Sequence, residues 1–475
     1  LPLRGDQPRR WDRFWYIVAA SFLAAQLALV LAREPHAPQG DEPWYLGLAR
    51  HLTESGTFPK ADPARLEPAH FRPPGYPVLL SPVIRFFPGD LEGRRVTGIM
   101  QFLAISAATV ALFAVAHAFV GVSPVWLALA VGVPWTFQWV TVIYPDSFSV
   151  AFTAAGSALM LALCSAPASR FAPLFALGGA SLLALSLLVR PENVLVASVS
   201  IGVAWLLLPH REKWRPAVLA SLSLPLVGAV LVLAGYRWTF LGNPGLVGSS
   251  YQDRWGGIVR WASTTTMSER QFYEEFIYPF DHGTIRWEQI PPVAFTSPAE
   301  KEAIHRLAEQ TSEKGYGPEV DKTFGRLAKD RIDANPLKFV LVPRILGLVR
   351  SFVNTQTSPQ LLDALSRMPR TPRRVLLGIF VGAKALLFSA FLTVLLVVAI
   401  ATCRTHPSSA LTRGIVLLTV PVLARAAAVC LVIGLREQRY MASAWLPLIL
   451  VVGMGFSLGI TVFRRERGRS TQVIA

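Results

Sequence analysis

Ten stretches of this chain are each apolar over roughly the ~20 residues that cross ~30 Å of hydrocarbon. They fall at about 14–33, 95–119, 123–143, 147–165, 172–189, 193–209, 216–240, 375–402, 410–434 and 441–463. Only helices and closed barrels satisfy their own backbone groups in lipid, and runs this long are helices. The expected fold is therefore an all-α polytopic membrane bundle of about ten transmembrane helices. Composition agrees: 16% of residues are charged and mean hydropathy is +0.42, where soluble domains are about a quarter charged.

Basic residues in short loops set the orientation. Arg4, Arg9, Arg10 and Arg13 precede the first span. Arg170, then Arg211, Lys213 and Arg215, then Arg404 and Arg413, then Arg464, Arg465, Arg467 and Arg469 follow in alternate loops. With ten spans all of these fall on one side, which places both termini in the cytoplasm. The first span reads as a signal-anchor rather than a cleaved signal. Three modules result. Residues 1–240 form an N-terminal membrane module with an outer loop, 34–94. Residues 241–374 form an extracytoplasmic cap. Residues 375–475 form a C-terminal membrane module with a cytoplasmic tail. The apolar segment 337–353 carries Lys338, Arg344 and Arg350 and is placed at the outer interface.

The net charge of +16 does not point to nucleic acid. Topology and anionic lipid account for the inward bases, and an anionic lipid phosphate would account for the outward ones. Cys164, Cys403 and Cys430 all lie in or beside spans, so no structural disulfide is expected.

Outside the spans, Asp41 is a natural N-cap for a helix whose stripe is Tyr45, Leu48, Ala49 and Leu52, ending at Gly56. Ser297 and Glu300 fit a capping box with Pro298 behind it, predicting a helix over 298–314, and a second helix runs over 318–334. Apolar periodicity between 241 and 334 is sparse, so a thin independent core is expected there, packed as a cap over the bundle.

Charged groups are expensive near a membrane, so their positions carry information. Five polar elements share the outer face: Asp41-Glu42, Arg72, Tyr144-Pro145-Asp146-Ser147, Arg190-Pro191-Glu192, and Arg436-Glu437-Gln438-Arg439-Tyr440. Arginine pairs bidentately with phosphate oxygens, and a carboxylate takes the proton from an attacking hydroxyl. Together they suit transfer from a lipid-linked phosphate. Plainer roles stay open for each. Asp41 and the Asp146-Ser147 pair are possible helix caps, Arg72 a headgroup anchor, Arg190 and Glu192 partners of each other, and Arg439-Tyr440 an interfacial belt.

The ordered motifs Gly40-Asp41-Glu42-Pro43-Trp44-Tyr45, Phe71-Arg72-Pro73-Pro74-Gly75-Tyr76-Pro77, Tyr144-Pro145-Asp146-Ser147, Leu188-Val189-Arg190-Pro191-Glu192, Asn335-Pro336-Leu337-Lys338 and Glu437-Gln438-Arg439-Tyr440 resemble those of the C superfamily (GT-C) of membrane glycosyltransferases. The resemblance is to the bacterial branch allied to protein O-mannosyltransferases and lipid A aminoarabinose transferases. It implies an inverting enzyme of the bacterial inner membrane that moves one sugar from a polyprenyl-phosphate donor to a glycan, lipid or protein hydroxyl on the extracytoplasmic side. It implies Asp41 as the catalytic acid of the first loop and Asp146 as a second acid. Arg72 matches a contact to the donor phosphate, a lysine in aminoarabinose transferases. Those enzymes carry an arginine where this chain has Trp44, which points away from an aminoarabinose donor. Glu42, Asp146, Arg190, Glu192, Arg439 and Tyr440 complete the expected substrate contacts. No cofactor is required and no metal ligands are assigned; dependence on a divalent cation is left open, with His70 the first candidate ligand. Two rivals are a lipid-linked sugar flippase or transporter and a polysaccharide polymerase or ligase.

Lys384 and Arg425 stand ~15 Å deep in their spans at 1.5 Å per residue, with no acid in any span interior. They either line a polar cavity or are met by backbone carbonyls and water at kinks such as Pro421.

Overall fold

The structure is a computed structural model that describes residues 10–33, 41–60, 72–132, 137, 140–208, 214–241, 250–267, 271, 273–281, 283–285, 290, 292–353, 368–404, 410–427 and 441–473. These are helical with connecting turns, and no strand occurs among the described residues. The chain divides into two compact units. One comprises Leu1–Leu246, Thr355–Arg425 and Arg439–Ala475; the other comprises Val247–Asn354 and Ala426–Gln438.

The first unit contains α1 (Arg10–Ala32), α2 (Glu42–Ser55), α3 (Gly75–Phe86), α4 (Asp90–Val120), α5 (Val125–Gly132), α6 (Asp146–Ser165), α7 (Ala172–Val189), α8 (Asn193–Leu207) and α9 (Arg215–Leu241). Its C-terminal part adds α14 (Arg370–Arg404), α15 (Ala410–Ala427) and α16 (Ala442–Val473). Six of these helices, α1, α4, α6, α7, α9 and α14, are long and apolar enough to cross a membrane. Shorter apolar helices occupy Asn193–Leu207 and Ala442–Leu458. The centre is α6, against which α4, α7 and α16 pack. In α6 83% of the apolar window is buried, against 11% in α1 and in α14. The latter two present Phe14, Ile17, Leu29, Ile379, Leu386 and Leu396 outward, as expected of helices whose solvent is lipid.

One expected span is not a continuous helix. Where the apolar run 123–143 predicts a crossing, α5 is described over Val125–Gly132, and Val140–Tyr144 is turn and irregular backbone. Unpaired backbone is tolerated at membrane depth only where protein supplies the partners. Here Gln101 Nε2 donates to the carbonyls of Val140 (2.8 Å) and Val142 (2.9 Å), and a carboxylate oxygen of Glu42 accepts from the Ile143 amide (2.7 Å).

The second unit holds α10 (Ser250–Ser263), a π turn at Tyr273–Ile277 running into one α turn at Tyr278–Asp281, α11 (Pro298–Lys314), α12 (Pro318–Ala334), and a π turn at Leu337–Leu341 leading into α13 (Val342–Val353). The expected thin core is instead a dense aromatic one. Trp261, Phe276, Phe280 and Phe324 are fully buried with Ile258, Ile277, Ile304 and Val320. The rings meet at 4.9 Å for both Trp261–Phe276 and Phe280–Phe324. Three of the four large rings come from short or irregular segments or a helix of mixed polarity, where a search for periodic stripes has little to find. Ser297 caps α11 as expected, its hydroxyl accepting from the Glu300 amide at 3.1 Å. Glu300 does not complete the capping box by returning to Ser297. Its carboxylate is drawn inward to Trp261 and Arg331.

Candidate active site

Asp41 occupies the N-cap position of α2 but makes no side-chain cap. Capping requires an extended backbone at that residue. Asp41 has φ −84° and ψ −10°, Pro43 removes one amide, and the Trp44 amide is met by the Asp41 carbonyl at 3.2 Å. The carboxylate is thereby released, and it accepts from Arg72 Nη2 at 2.6 Å. Both side chains keep contact with solvent, 20% exposed for Asp41 and 15% for Arg72. The Arg72 guanidinium lies 5.5 Å from the centre of the Tyr45 ring, and Tyr236 Oη donates to the Arg72 carbonyl at 3.3 Å.

Glu42 faces the other way and is fully buried. One oxygen meets Arg94 Nη2 at 3.3 Å, and the other takes the Ile143 amide. Ile143 is three residues before Asp146, so the start of α2 is tied to the segment that delivers the second acid. Tyr76 makes a parallel tie. Its ring meets Tyr45 at 5.0 Å, and its hydroxyl donates to Gln101 Oε1 at 3.0 Å, behind which lie the Val140 and Val142 carbonyls. Burial first, then the nearby charges of Tyr45, Glu42 and Asp146, push the Tyr76 phenol well above its ordinary value, so it stays a neutral donor.

The turn Arg72-Pro73-Pro74-Gly75 is seated on the end of α7. A Cβ on Gly75 would stand 2.6 Å from the carbonyl carbon and oxygen of Leu188, so only glycine permits this approach. Arg190 follows two residues later. It ends α7 with an extended backbone and pairs with Asp146 at 2.5 Å, both groups nearly dry. Asp146 is the first residue of α6, with Pro145 at the N-cap position, so capping is not its role. Arg190 turns to Asp146 rather than to Glu192. The Glu192 Oε2 atom is buried and has no hydrogen-bond partner among the described residues.

The six described candidates, Asp41, Glu42, Arg72, Asp146, Arg190 and Glu192, thus belong to one hub at the ends of α2, α3, α6, α7 and α8. Its packing core is Tyr45, Leu46, Ala49, Tyr76, Leu80, Ile143, Phe148 and Val189. Arg439 and Tyr440 lie outside the described residues. Sequence reasoning missed Arg94, Tyr76, Gln101 and Asn193 as parts of the hub. Gln101, an amide inside an apolar span, carried the clearest signal, since polar groups in spans face the protein.

The deep arginine meets a side-chain amide. Arg425, 1% exposed, donates from Nη1 to Asn193 Oδ1 at 2.8 Å. Lys384 is buried with its ammonium 5.9 Å from the centre of the Trp445 ring. A lone arginine at mid-membrane costs about 2.5–3.5 kcal/mol on insertion scales, which an amide partner offsets in part.

No group of three or more His, Cys, Asp or Glu placed to hold a metal ion occurs among the described residues. Asp41 and Asp146 each accept a hydrogen bond from an arginine. His70, the first candidate ligand, lies outside the described residues.

No protein-family model and no curated protein matches the chain in sequence. Two solved structures are similar to it. The archaeal oligosaccharyltransferase AglB from Archaeoglobus fulgidus, in complex with an inhibitory peptide and a dolichol-phosphate, aligns over 98% of this chain and 52% of its own, at 14% identity and a TM-score of 0.43. ArnT from Cupriavidus metallidurans, bound to undecaprenyl phosphate, aligns over 93% of this chain and 77% of its own, at 12% identity and a TM-score of 0.36. The chain spans about half the length of AglB.

Proposed function

We propose that this chain is an inverting glycosyltransferase that moves a single sugar from a polyprenyl-phosphate donor to an acceptor hydroxyl on the extracytoplasmic face of a bacterial inner membrane. The carrying observation is the Asp41–Arg72 pair. It sets a carboxylate and a guanidinium 2.6 Å apart, and both keep contact with solvent. The ordered motifs support the same reading, and the distribution of basic loops supports the assignment of the face.

The acceptor oxygen attacks the anomeric carbon from the side opposite the phosphate, and its proton passes to the Asp41 carboxylate. The bond from the anomeric carbon to the phosphate oxygen breaks, and polyprenyl phosphate leaves with the electron pair. Phosphate is a good leaving group once its charge is met, so no separate acid is needed, unlike most glycoside hydrolysis. Arg72 meets that charge, with Arg190 and, on sequence grounds, Arg439 and Tyr440 beside it. Arg72 is shared. When it turns to a donor phosphate, its hold on Asp41 weakens and the carboxylate is freed for the acceptor, which favours donor binding before acceptor binding. Glu42 acts as a strut to Ile143, and Asp146 orients sugar or acceptor.

The test is transfer of labelled sugar from a panel of polyprenyl-phosphate sugars by the wild type and by Asp41→Asn. Asparagine still accepts from Arg72 but cannot take the proton. The expected result is a rate loss of about 10²–10⁴-fold with donor binding and thermal stability kept. Unchanged turnover would remove Asp41 from the chemistry. A wild type inactive with every donor would overturn the transferase reading.

A further inference from the structure

Arg425 lies in an apolar helix, far in sequence from the hub, and no step above uses it. Its contact is specific. The Asn193 amide oxygen accepts from Arg425 Nη1 at 2.8 Å, while its Nδ2 donates to Ser149 Oγ (2.8 Å) and to the Ser186 carbonyl (3.0 Å). All four residues are buried. The Asn193 backbone amide in turn donates to the Arg190 carbonyl at 2.9 Å. One residue therefore joins three pieces: by its side chain α6 one turn beyond Asp146 and the last turn of α7 before Arg190, and by its backbone amide the turn Arg190-Pro191-Glu192. A serine or threonine could fill a neutral amide oxygen. A guanidinium makes a charge-assisted bond, shorter and stronger, and holds the amide in one orientation. That orientation matters because a flipped amide would turn its NH₂ toward Arg425 and its oxygen toward the Ser186 carbonyl, losing both bonds.

We infer that Arg425 is a positioning residue: through Asn193 it fixes the turn that carries Arg190 and Glu192. Within that turn the Glu192 Oε2 atom is buried without a hydrogen-bond partner among the described residues. The consequence for catalysis rests on the reading of Arg190 as a contact to the donor phosphate. The placement of the turn does not.

The experiment uses the full chain in nanodiscs and two readouts. The first is amide hydrogen exchange over residues 186–196. The second is binding of undecaprenyl phosphate without sugar. In Arg425→Met, exchange at the turn should rise about tenfold while other helices stay within about twofold. Arg425→Lys should recover most of the protection. Undecaprenyl phosphate affinity should fall about tenfold, since misplacing a contact group by an ångström is felt that strongly. Should Arg425→Met fail to fold, Asn193→Ala breaks the link together with the bonds to Ser149 and Ser186, and exchange at the turn should then rise at least as far. Unchanged exchange at the turn, or exchange rising equally across the bundle, overturns the proposal. A loosened turn with undecaprenyl phosphate binding unchanged upholds the positioning role and removes Arg190 from phosphate recognition.

Discussion

Arg331 in the second unit and Arg72 in the first are built from the same parts. Each bonds a carboxylate and lies over an aromatic ring: Arg331 on Glu300 and Trp261, Arg72 on Asp41 and Tyr45. They differ in closure. Arg331 also donates to Thr264 Oγ1 (2.9 Å) and to the Ala294 carbonyl (2.6 Å), and Glu300 also accepts from Trp261 Nε1 (2.9 Å) and the Thr296 amide (2.8 Å). Side-chain exposure there is 5% and 7%, against 15% and 20% for Arg72 and Asp41. A pair shut away from water holds a fold together. A pair left ajar can exchange one partner for a ligand.

The largest effect follows from breaking the closed pair. Arg331→Met leaves Glu300 buried without its cation and should destabilise the second unit by about 3–5 kcal/mol. Arg72→Met, the same change at the open pair, should cost only about 1–2 kcal/mol because water can reach Asp41, yet it should weaken donor binding strongly. Denaturant unfolding of the full chain, followed by tryptophan fluorescence, reads the first, and donor binding reads the second. Equal losses of stability from the two changes would erase the distinction.

Two glycines sharpen it further. Gly257 lets α10 approach α12, where a Cβ would collide with the Asp321 carbonyl oxygen, and the Asp321 carboxylate accepts from the Gly257 amide at 2.8 Å. Gly75 allows the comparable approach to Leu188 in the hub. Gly75→Ala should cost about 1–3 kcal/mol by overpacking. It should also lower turnover about tenfold or more by displacing Arg72 relative to Arg190. Gly257→Ala should act on stability alone, so the ratio of activity loss to stability loss separates the two positions. Turnover per folded molecule unaffected by Gly75→Ala would mean the turn does not place Arg72.

The two units also differ in how much of them could be read in advance. Spans such as 95–119 and 172–189 were legible because lipid selects on composition alone, and α4 and α7 cover them. The run 123–143 was not, because its backbone is satisfied by Gln101 and Glu42, partners from distant positions that no local pattern encodes. Asp41, Arg72, Asp146 and Arg190 stood out as charges beside spans. Which acid takes which arginine did not follow, since pairing is set by Gly75 against Leu188 and by Glu42 against Ile143. The aromatic core around Trp261 escaped for a related reason: its rings are gathered by tertiary packing from segments with no common period.

Acid should find the closed cluster next. Burial alone would raise the Glu300 carboxyl, but hydrogen bonds from Arg331, Thr296 and Trp261 hold it below the ordinary glutamate value. A depressed folded-state value stabilises the fold above the unfolded value, near about 4.3, and that contribution is lost as pH falls through the folded value. The stability of the wild type should therefore drop more steeply below about pH 4.3 than that of Glu300→Gln, which starts lower and has nothing to titrate there. Parallel curves for the two proteins would mean that Glu300 titrates alike in the folded and unfolded chains.

The smallest effect is expected where a pair has no enclosure at all. Arg50 and Asp90 form an ion pair with side chains 44% and 60% exposed. Water screens both charges, and ordering two flexible side chains offsets most of the attraction, so the coupling should be about 0–0.5 kcal/mol. A double-mutant cycle with Arg50→Ala and Asp90→Ala measures it, and raising the salt should shrink what little there is. The pair bridges α2 to the start of α4, close in sequence to Glu42 and Arg94, whose own pair does the same job in a dry setting. A coupling above about 1.5 kcal/mol at the exposed pair would mean that surface charges also fix α2, and that enclosure is not what separates the pairs that hold the fold from those free to act.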